Sequence, residues 1–450
     1  MKPLCVAFLP IVRVQFDVAL ADQMIQAARV NLTSAGFELV GPEKAITDLA
    51  SAQAAAAELT IHDVDLLLIF QATFADSSMV AAITDAIDAP IFLWSVPEAW
   101  TGGRLRLNSL CGINLAGHAL TLRGRKYEYA YAQPGDEAVI SAVRTLASAG
   151  NLRRRLASAR LGVVGEHPSG MDTCNLDEPR LKSVFGVGIQ RIELEEVFSW
   201  ARSISKAALD TVRLDLDSRL DNLDSLQQQP LQGTLSVYSA LKEMAAAYKL
   251  DGLAVRCWPE FFTQMGCAAC GAMSMLSDGF GGAVPLPCSC EADINGTLTQ
   301  LILQWLADTP AFGTDMVAAD LEQDTMALWH CGLAPFSMAD PGAKLKGGNH
   351  SNRGMPLVMD FPLKPGRVSI ARISQATGEL RLVLGQGEIL AAPKPFSGTC
   401  GVLRLDRPMR QFLDILMHEG LEHHVSLVYG DYLSELRTLA SLLNMPVLNF

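Results

Sequence analysis

Two periods alternate through the first 150 residues, and that alternation constrains the fold more than any other feature of the chain. Leu4–Leu9, Asp65–Phe70 and Ile91–Ser95 are strand-length runs that are almost wholly apolar. Continuous apolar strands belong to parallel sheets covered on both faces. Between them, Val18–Ala35, Ala50–Leu59 and Ser78–Ala86 are Ala-rich with helical spacing, and such a succession is βαβ architecture. Asp136–Ala159 reads as the helix that closes this first domain, and its Arg153-Arg154-Arg155 cluster as a solvated face. A second alternation begins at Arg160-Leu161-Gly162-Val163-Val164-Gly165, with Val237–Tyr248 helical and Gly252–Cys257 a strand, and continues alternating to Pro335. From Asp340 the texture changes. Leu357–Phe361, Val368–Ile373, Glu379–Leu384 and Gly401–Leu405 are separated by Pro-Gly, Thr-Gly and Gly-Gln-Gly turns, which predicts an antiparallel sheet or small barrel. A helix over Tyr432–Leu443 and a short strand over Met445–Leu448 finish the chain. The expected fold is α/β: two Rossmann-like, doubly wound parallel-sheet domains (1–155 and 156–339) followed by a β-rich C-terminal domain (340–450).

Composition narrows the partners. With 36 basic and 48 acidic residues the chain carries a formal charge of −12, which disfavours nucleic acid, whose binding needs clustered positive charge. No apolar run approaches the ~18–20 residues needed to span a bilayer. Leu4–Val12 is short, bracketed by Pro3 and Pro10, and followed at once by Arg13, Gln15 and Asp17, so it reads as a first strand and not as a signal peptide. The expected setting is a reducing cytoplasm in which the ten cysteines stay thiols.

Cysteine spacing is a tempting lead. Cys267-x-x-Cys270 and Cys288-x-Cys290 are close pairs of the kind that build zinc sites. Cys-x-Cys is a poor second knuckle, however, and small or apolar neighbours surround both pairs. These four are expected reduced and metal-free, as buried small hydrophobes. Neither GxGxxG, nor a P-loop, nor a Gly-x-Ser-x-Gly elbow occurs, so the fold alone licenses neither a nucleotide nor a serine hydrolase.

Carboxylates and histidines at successive strand ends carry the chemical signal. Glu260 follows Val255–Pro259, where a parallel strand leaves its sheet, and open α/β sheets bind ligands there. Glu291 and Asp293 end the run Cys288–Asp293, His330 ends Met326–Trp329, and His423-His424 follow a Gly-containing turn. Hard oxygen ligands mixed with imidazole suit Mn²⁺, Mg²⁺ or a similar divalent ion. Each residue also has a bland reading: Asp293 as a helix N-cap, His330 as a packing residue. Glu291 and Asp293 would share one face of a strand, so periodicity does not choose between them.

These residues resemble the L-fucose/L-arabinose isomerase superfamily. Val255–Glu260, Cys290–Asp293, His330–Pro335 and Glu422-His423-His424 carry the likeness. The most specific part is the C-terminal succession of a His-His pair, Val-Ser-Leu, a short helix and a Pro-Val-Leu strand. The resemblance implies an Mn-dependent sugar ketol-isomerase, with Mg²⁺ or Co²⁺ as alternative metals, acting on an open-chain sugar through an enediolate. It implies Glu260 and Asp293 as acid/base groups and metal ligands, His424 and His330 as further ligands, and Glu291 as the alternative second acid. Arg13 and Trp94 resemble positions where the family's N-terminal domain meets sugar, while His350 lies in the polar, Gly-rich loop Gly347–Gly354, which suits a lid or a sugar hydroxyl contact as well as it suits a solvated turn. The resemblance also implies a homotrimer or homohexamer whose sites are completed by a neighbouring subunit. Two other readings stand beside it: two Rossmann-like lobes that close on ligand as a non-catalytic sugar-binding sensor, which would need neither the two acids nor the histidines, and a metal-dependent epimerase or aldolase using the same enediolate chemistry.

Overall fold

The structure, a computed structural model, describes residues 2–450. Its chain falls into two compact units. The first comprises the chain up to Arg155 together with Ser434–Asn444, and the second comprises Leu156–Leu433 and Met445–Phe450.

In the first unit β1 (Cys5–Ile11), β2 (Glu38–Val40), β3 (Leu66–Gln71), β4 (Ile91–Ser95) and β5 (Glu128–Tyr131) form a parallel sheet in the order β2-β1-β3-β4-β5. Helices α1 (Val18–Ser34), α2 (Leu49–Leu59), α3 (Ser78–Ala86), α4 (Ser109–Leu122) and α5 (Glu137–Leu156) alternate with the strands. Every residue of β3 and β4 is buried, as a sheet covered on both faces requires, and separate apolar layers pack on its two sides. Short β2 and β5, half exposed at the edges, escape the apolar-run signal. Where α5 crosses β3, Gly150 allows contact: a Cβ there would sit on the Asp65 carbonyl oxygen, well inside van der Waals distance. Gly→Ala in a helix ordinarily gains about 1 kcal/mol. Here the sign should reverse, with Gly150→Ala losing about 1–3 kcal/mol by overpacking. A chemical denaturation midpoint at or above the parent's would refute that contact.

The second unit opens with a four-stranded parallel sheet, β7-β6-β8-β9, made from β6 (Arg160–Val164), β7 (Gly188–Ile192), β8 (Gly252–Val255) and β9 (Cys288–Cys290). Its helices are α6 (Glu178–Phe185), α7 (Leu194–Ser203), α8 (Lys206–Asp217), α9 (Gln228–Tyr248), α10 (Cys270–Asp278) and α11 (Ile294–Ala307). The remaining strands are β10 (Phe312–Asp320), β11 (Thr325–His330), β12 (Lys346–Gly348), β13 (Val358–Pro362), β14 (Gly366–Ser374), β15 (Arg381–Leu390), β16 (Thr399–Leu405), β17 (His424–Tyr429) and β18 (Val447–Asn449). Six of them close an antiparallel barrel, β11-β10-β17-β14-β15-β16 and back to β11. The barrel thus begins before the texture change at Asp340, because β10 and β11 already belong to it. A single apolar core runs through second sheet and barrel, so no packing break separates them. Helix α12 (Met409–His418) precedes β17, and α13 (Leu433–Leu442) leaves this unit to pack on the first. There Lys126 Nζ donates to Ser441 O at 2.9 Å and Asn444 Oδ1 at 2.7 Å, capping the helix end. Among the described residues no helix is long and apolar enough to cross a membrane.

Candidate active site

Helix α11 organises the candidate site. Nearly all of its residues are buried, and β14 lies against it, with the Ile373 amide donating to Thr299 Oγ1 at 3.0 Å. Its N-cap is Asp293, whose Oδ1 accepts the Gly296 amide at 2.9 Å. Capping an entirely buried helix brings Asp293 against Arg372 of β14 and His424 of β17. Arg372 Nη1 donates to Asp293 Oδ2, and the same oxygen is 3.0 Å from His424 Nδ1. Arg372 and Asp293 are 2% and 1% exposed. Burial alone would raise the Asp293 pKa, but the Arg372 charge and the His424 hydrogen bond hold it far below the usual carboxylate range.

Glu291 points elsewhere. Strand β9 ends at Cys290, and Glu291 and Ala292 take left-handed conformations (φ 61° and 56°). Such conformations cost non-glycine residues on the order of 1–3 kcal/mol each and cluster at functional sites. The turn breaks the strand alternation that would give Glu291 and Asp293 a common face. Trp258 Nε1 donates to Glu291 Oε1 at 3.2 Å. Glu291 Oε2 lies 3.6 Å from His423 Nε2 and 3.8 Å from His424 Nε2, buried with no hydrogen-bond partner.

Barrel register supplies the third acid. Asp315 of β10 stands directly opposite His424 of β17, and its Oδ1, also buried without a hydrogen-bond partner, is 3.1 Å from His424 Nε2. The His330 ring stacks at 6.0 Å on that of His424, and Asp315, His330 and His424 converge. Cys174, from the loop after β6, converges with Glu291 and His424. Thr173 Oγ1 is 3.3 Å from His423 Nδ1.

The donor chemistry fits a divalent cation. With Asp293 accepting from Nδ1–H, His424 presents Nε2 to two carboxylate oxygens that have no proton donor of their own. A carboxylate behind a histidine is the usual orienting arrangement at metal sites. Burial lowers the His424 pKa, but the hydrogen bond to Asp293 and the close Asp315 carboxylate outweigh it and raise it well above its ordinary value. A divalent ion would supply the positive charge that a second imidazole proton otherwise provides, so proton and metal compete. An open cleft of about 760 Å³ borders the cluster, with Cys174, Ala292, Glu422, Arg180 and Arg191 among its walls.

The sequence-chosen residues thus divide. Glu291, Asp293, His330 and His424 meet. Glu260 begins the short helical turn after β8 and is held by Arg256, at 2.7 and 2.9 Å; among the described residues it belongs to none of the converging groups. Arg256 outweighs burial and lowers the Glu260 pKa. In the first unit Arg13 pairs with Asp76 on a half-exposed surface. Trp94 is 0% exposed, edge-on to Phe70 at 5.1 Å, with Nε1–H donating to Ala132 O at 3.0 Å. It is a core residue, with no surface open to a sugar. His350 is buried edge-on to Phe262 at 5.1 Å. Asp315 and Arg372 were not marked by the sequence. An arginine inside the apolar strand Val368–Ile373 is a readable sign of a buried counter-charge, whereas Asp315 gains meaning only from register.

The cysteines need one correction. Cys290 is not a free thiol but is disulfide-bonded to Cys257, with Cα atoms 5.8 Å apart. Parallel pairing of β8 with β9 sets Val255 beside Cys290, so the partner lies across the sheet, beyond any local spacing rule. Cys267 and Cys288 are free, and burial pushes each thiol up to about 12.

Comparison with known proteins agrees with this architecture. Residues 8–149 match the N-terminal domain of fucose/sulfoquinovose isomerases, and residues 361–450 match the C-terminal domain of L-fucose isomerase. The chain is 32% identical to the sulfoquinovose isomerase of Alkalicoccus urumqiensis over 99% of both chains. It is 31% identical to that of Priestia aryabhattai over 99% of both, and 30% identical to that of Clostridium sp. (strain MSTE9) over 98% of both. An α/β chain ending in a β-barrel, alike to these relatives along its whole length, belongs to the fucose/sulfoquinovose isomerase family of sugar isomerases.

Proposed function

We propose that this chain interconverts sulfoquinovose, an aldose, and its ketose isomer at the Glu291–Asp315–His424 cluster, with a bound divalent cation, Mn²⁺ first among candidates. The observation that carries this reading is the meeting of two unpartnered buried carboxylate oxygens with one imidazole nitrogen. When bound, the cation acts as a Lewis acid that stabilises the negative charge developing next to the sugar carbonyl. Glu291, Asp315 and His424 would hold it, with His330 behind them. Asp293 is a positioning residue, fixing the His424 ring through Nδ1–H, while Arg372 balances its charge. Trp258 fixes the Glu291 carboxylate through Oε1. Glu260, kept ionised by Arg256 and two residues beyond Trp258, is the base that takes the proton from C2 and passes it to the C1 oxygen, while Glu291 takes the proton of the C2 hydroxyl and returns it to C1. The bordering cleft offers Arg180 and Arg191 to an anionic sulfonate.

Incubation of chelator-treated and Mn²⁺-loaded protein with sulfoquinovose, fucose, arabinose and glucose in D₂O tests the reading. Deuterium at C2 together with ketose is expected with sulfoquinovose, and only in the loaded protein. Binding without exchange would identify a sensor and overturn the proposal; exchange with an epimer as product would identify an epimerase. The same reading makes the enzyme a cytoplasmic homotrimer or homohexamer. A fully active species sedimenting as a monomer would end that part of it.

A further inference from the structure

Cys290 pairs with Cys257, and a second member of the two local cysteine pairs, Cys270, also finds new partners. Cys270 is the first residue of α10, Cys331 follows the end of β11, and His350 lies in the loop after β12. One ligand atom from each lies within 4.8 Å of the other two. Cys270 and His350 are buried, and Cys331 is half-buried. The surroundings are apolar, with Phe262, Ala268 and Val358 packed beside Cys270 and with Trp258, Cys331 and Met355 against them. We propose that Cys270, Cys331 and His350 form a binding site for a thiophilic divalent cation of the zinc class, distinct from the carboxylate and imidazole cluster.

Charge and softness both favour that ion. Two thiolates and a neutral imidazole around a divalent cation make a complex of zero net charge, which an apolar pocket accepts far more readily than an uncompensated ion. Thiolate and imidazole suit zinc, while Mg²⁺ and Mn²⁺ prefer carboxylate and water. The helix N-terminus at Cys270 also favours a thiolate. Two cysteines and one histidine are three protein ligands, leaving a fourth position for water. His350 Nδ1 accepts the Asn352 amide at 3.3 Å, so Nε2 is the nitrogen left to serve as the ligand. Coordination through Nε2 puts the ring proton on Nδ1, so that contact must open and the 350–353 turn must shift as the ion binds. The site would tie this Gly-rich loop to α10 and β11.

Chelator-treated protein, titrated with Co²⁺ and then displaced with Zn²⁺, tests the site by absorption. One equivalent of Co²⁺ should give a near-ultraviolet sulfur-to-cobalt charge-transfer band and the visible bands of a tetrahedral ion. Cys270→Ser and Cys331→Ser should abolish the band. His350→Ala should weaken binding by more than the ~10–100-fold typical of an outer-shell change. Cys267→Ser and Cys174→Ser should leave it unchanged. No thiolate band, or a band lost in Cys174→Ser and kept in Cys270→Ser, would overturn the proposal, the latter by assigning the thiolate to the His424 cluster. Alkylation mapped by mass spectrometry on the unaltered protein removes any dependence on how the variants fold. Zn²⁺ should protect Cys270 and Cys331 together; equal labelling of both with and without the ion counts against the site.

Discussion

Glu291→Gln is expected to lower C2 deuterium exchange by ~10²–10⁴-fold, the usual worth of one acid–base group, with the fold unchanged. Glutamine keeps the side chain's shape and its acceptor for Trp258 Nε1, but removes the charge of an oxygen that has no other partner. Asp315→Asn should weaken the site by the same logic. His424→Ala should chiefly reduce metal affinity, so excess Mn²⁺ should restore part of its activity. Such rescue should fail for Glu260→Gln if that residue moves the proton, since no metal concentration replaces a base. Isothermal titration with Mn²⁺ alongside exchange kinetics separates the two losses. Near-normal exchange in Glu291→Gln at saturating Mn²⁺, together with a correctly folded but inactive Asp293→Asn, would transfer the acid's role to Asp293.

Arg372→Met should cost about 3–5 kcal/mol of stability, because it leaves the Asp293 carboxylate buried without its counter-charge. Methionine fills much of the same volume, so the loss is electrostatic and not a cavity. Adding Asp293→Asn should return part of it, since the pair is then removed together. The pH dependence has a definite sign. Arg372 and His424 depress the Asp293 pKa in the folded state, while the unfolded value is ~3.9. The stabilisation from the ionised carboxylate is therefore complete above that pH and fades as pH falls below it towards the folded value. In Arg372→Met the depression shrinks, and acid denaturation should begin at higher pH. Urea denaturation of parent, single and double variants across the acid range would show this; parallel pH curves for parent and Arg372→Met would remove Arg372 from the account.

What the sequence could convey depends on how local each cause is. Ile91–Ser95 and Ser78–Ala86 coincide with β4 and α3, because burial on both faces of a parallel sheet writes itself into consecutive residues. The barrel's later strands were legible through their turns. Strands β10 and β11 were read as part of the α/β alternation, since the strands that tie their hairpin into the barrel, β17 and β16, lie far along the chain. The same limit governs the site. Glu291, Asp293, His330 and His424 could be picked as strand-end groups, but their roles could not. Left-handed residues at Glu291 and Ala292 turn two acids of one apparent face in different directions. Asp315 opposite His424, and Cys257 beside Cys290, are products of register. Trp94 misled because a tryptophan ending an apolar run looks the same whether it meets a sugar or fills a core.

The last helix has a consequence for how the chain is made. Leu436, Leu439 and Ala440 of α13 are buried, Leu442 packs against one core layer of the first unit, and Lys126 caps the helix end. Roughly 280 residues separate this helix from the rest of that unit. At ~5–20 residues per second of translation, the N-terminal sheet waits on the order of 14–56 s for its final piece. During that interval the surface reserved for α13 faces the ribosome's surroundings, and Lys126 lacks its carbonyl partner. Truncation before Ser434 would make this nascent condition permanent, so the first unit's completion is timed by residues synthesised long after its own sheet.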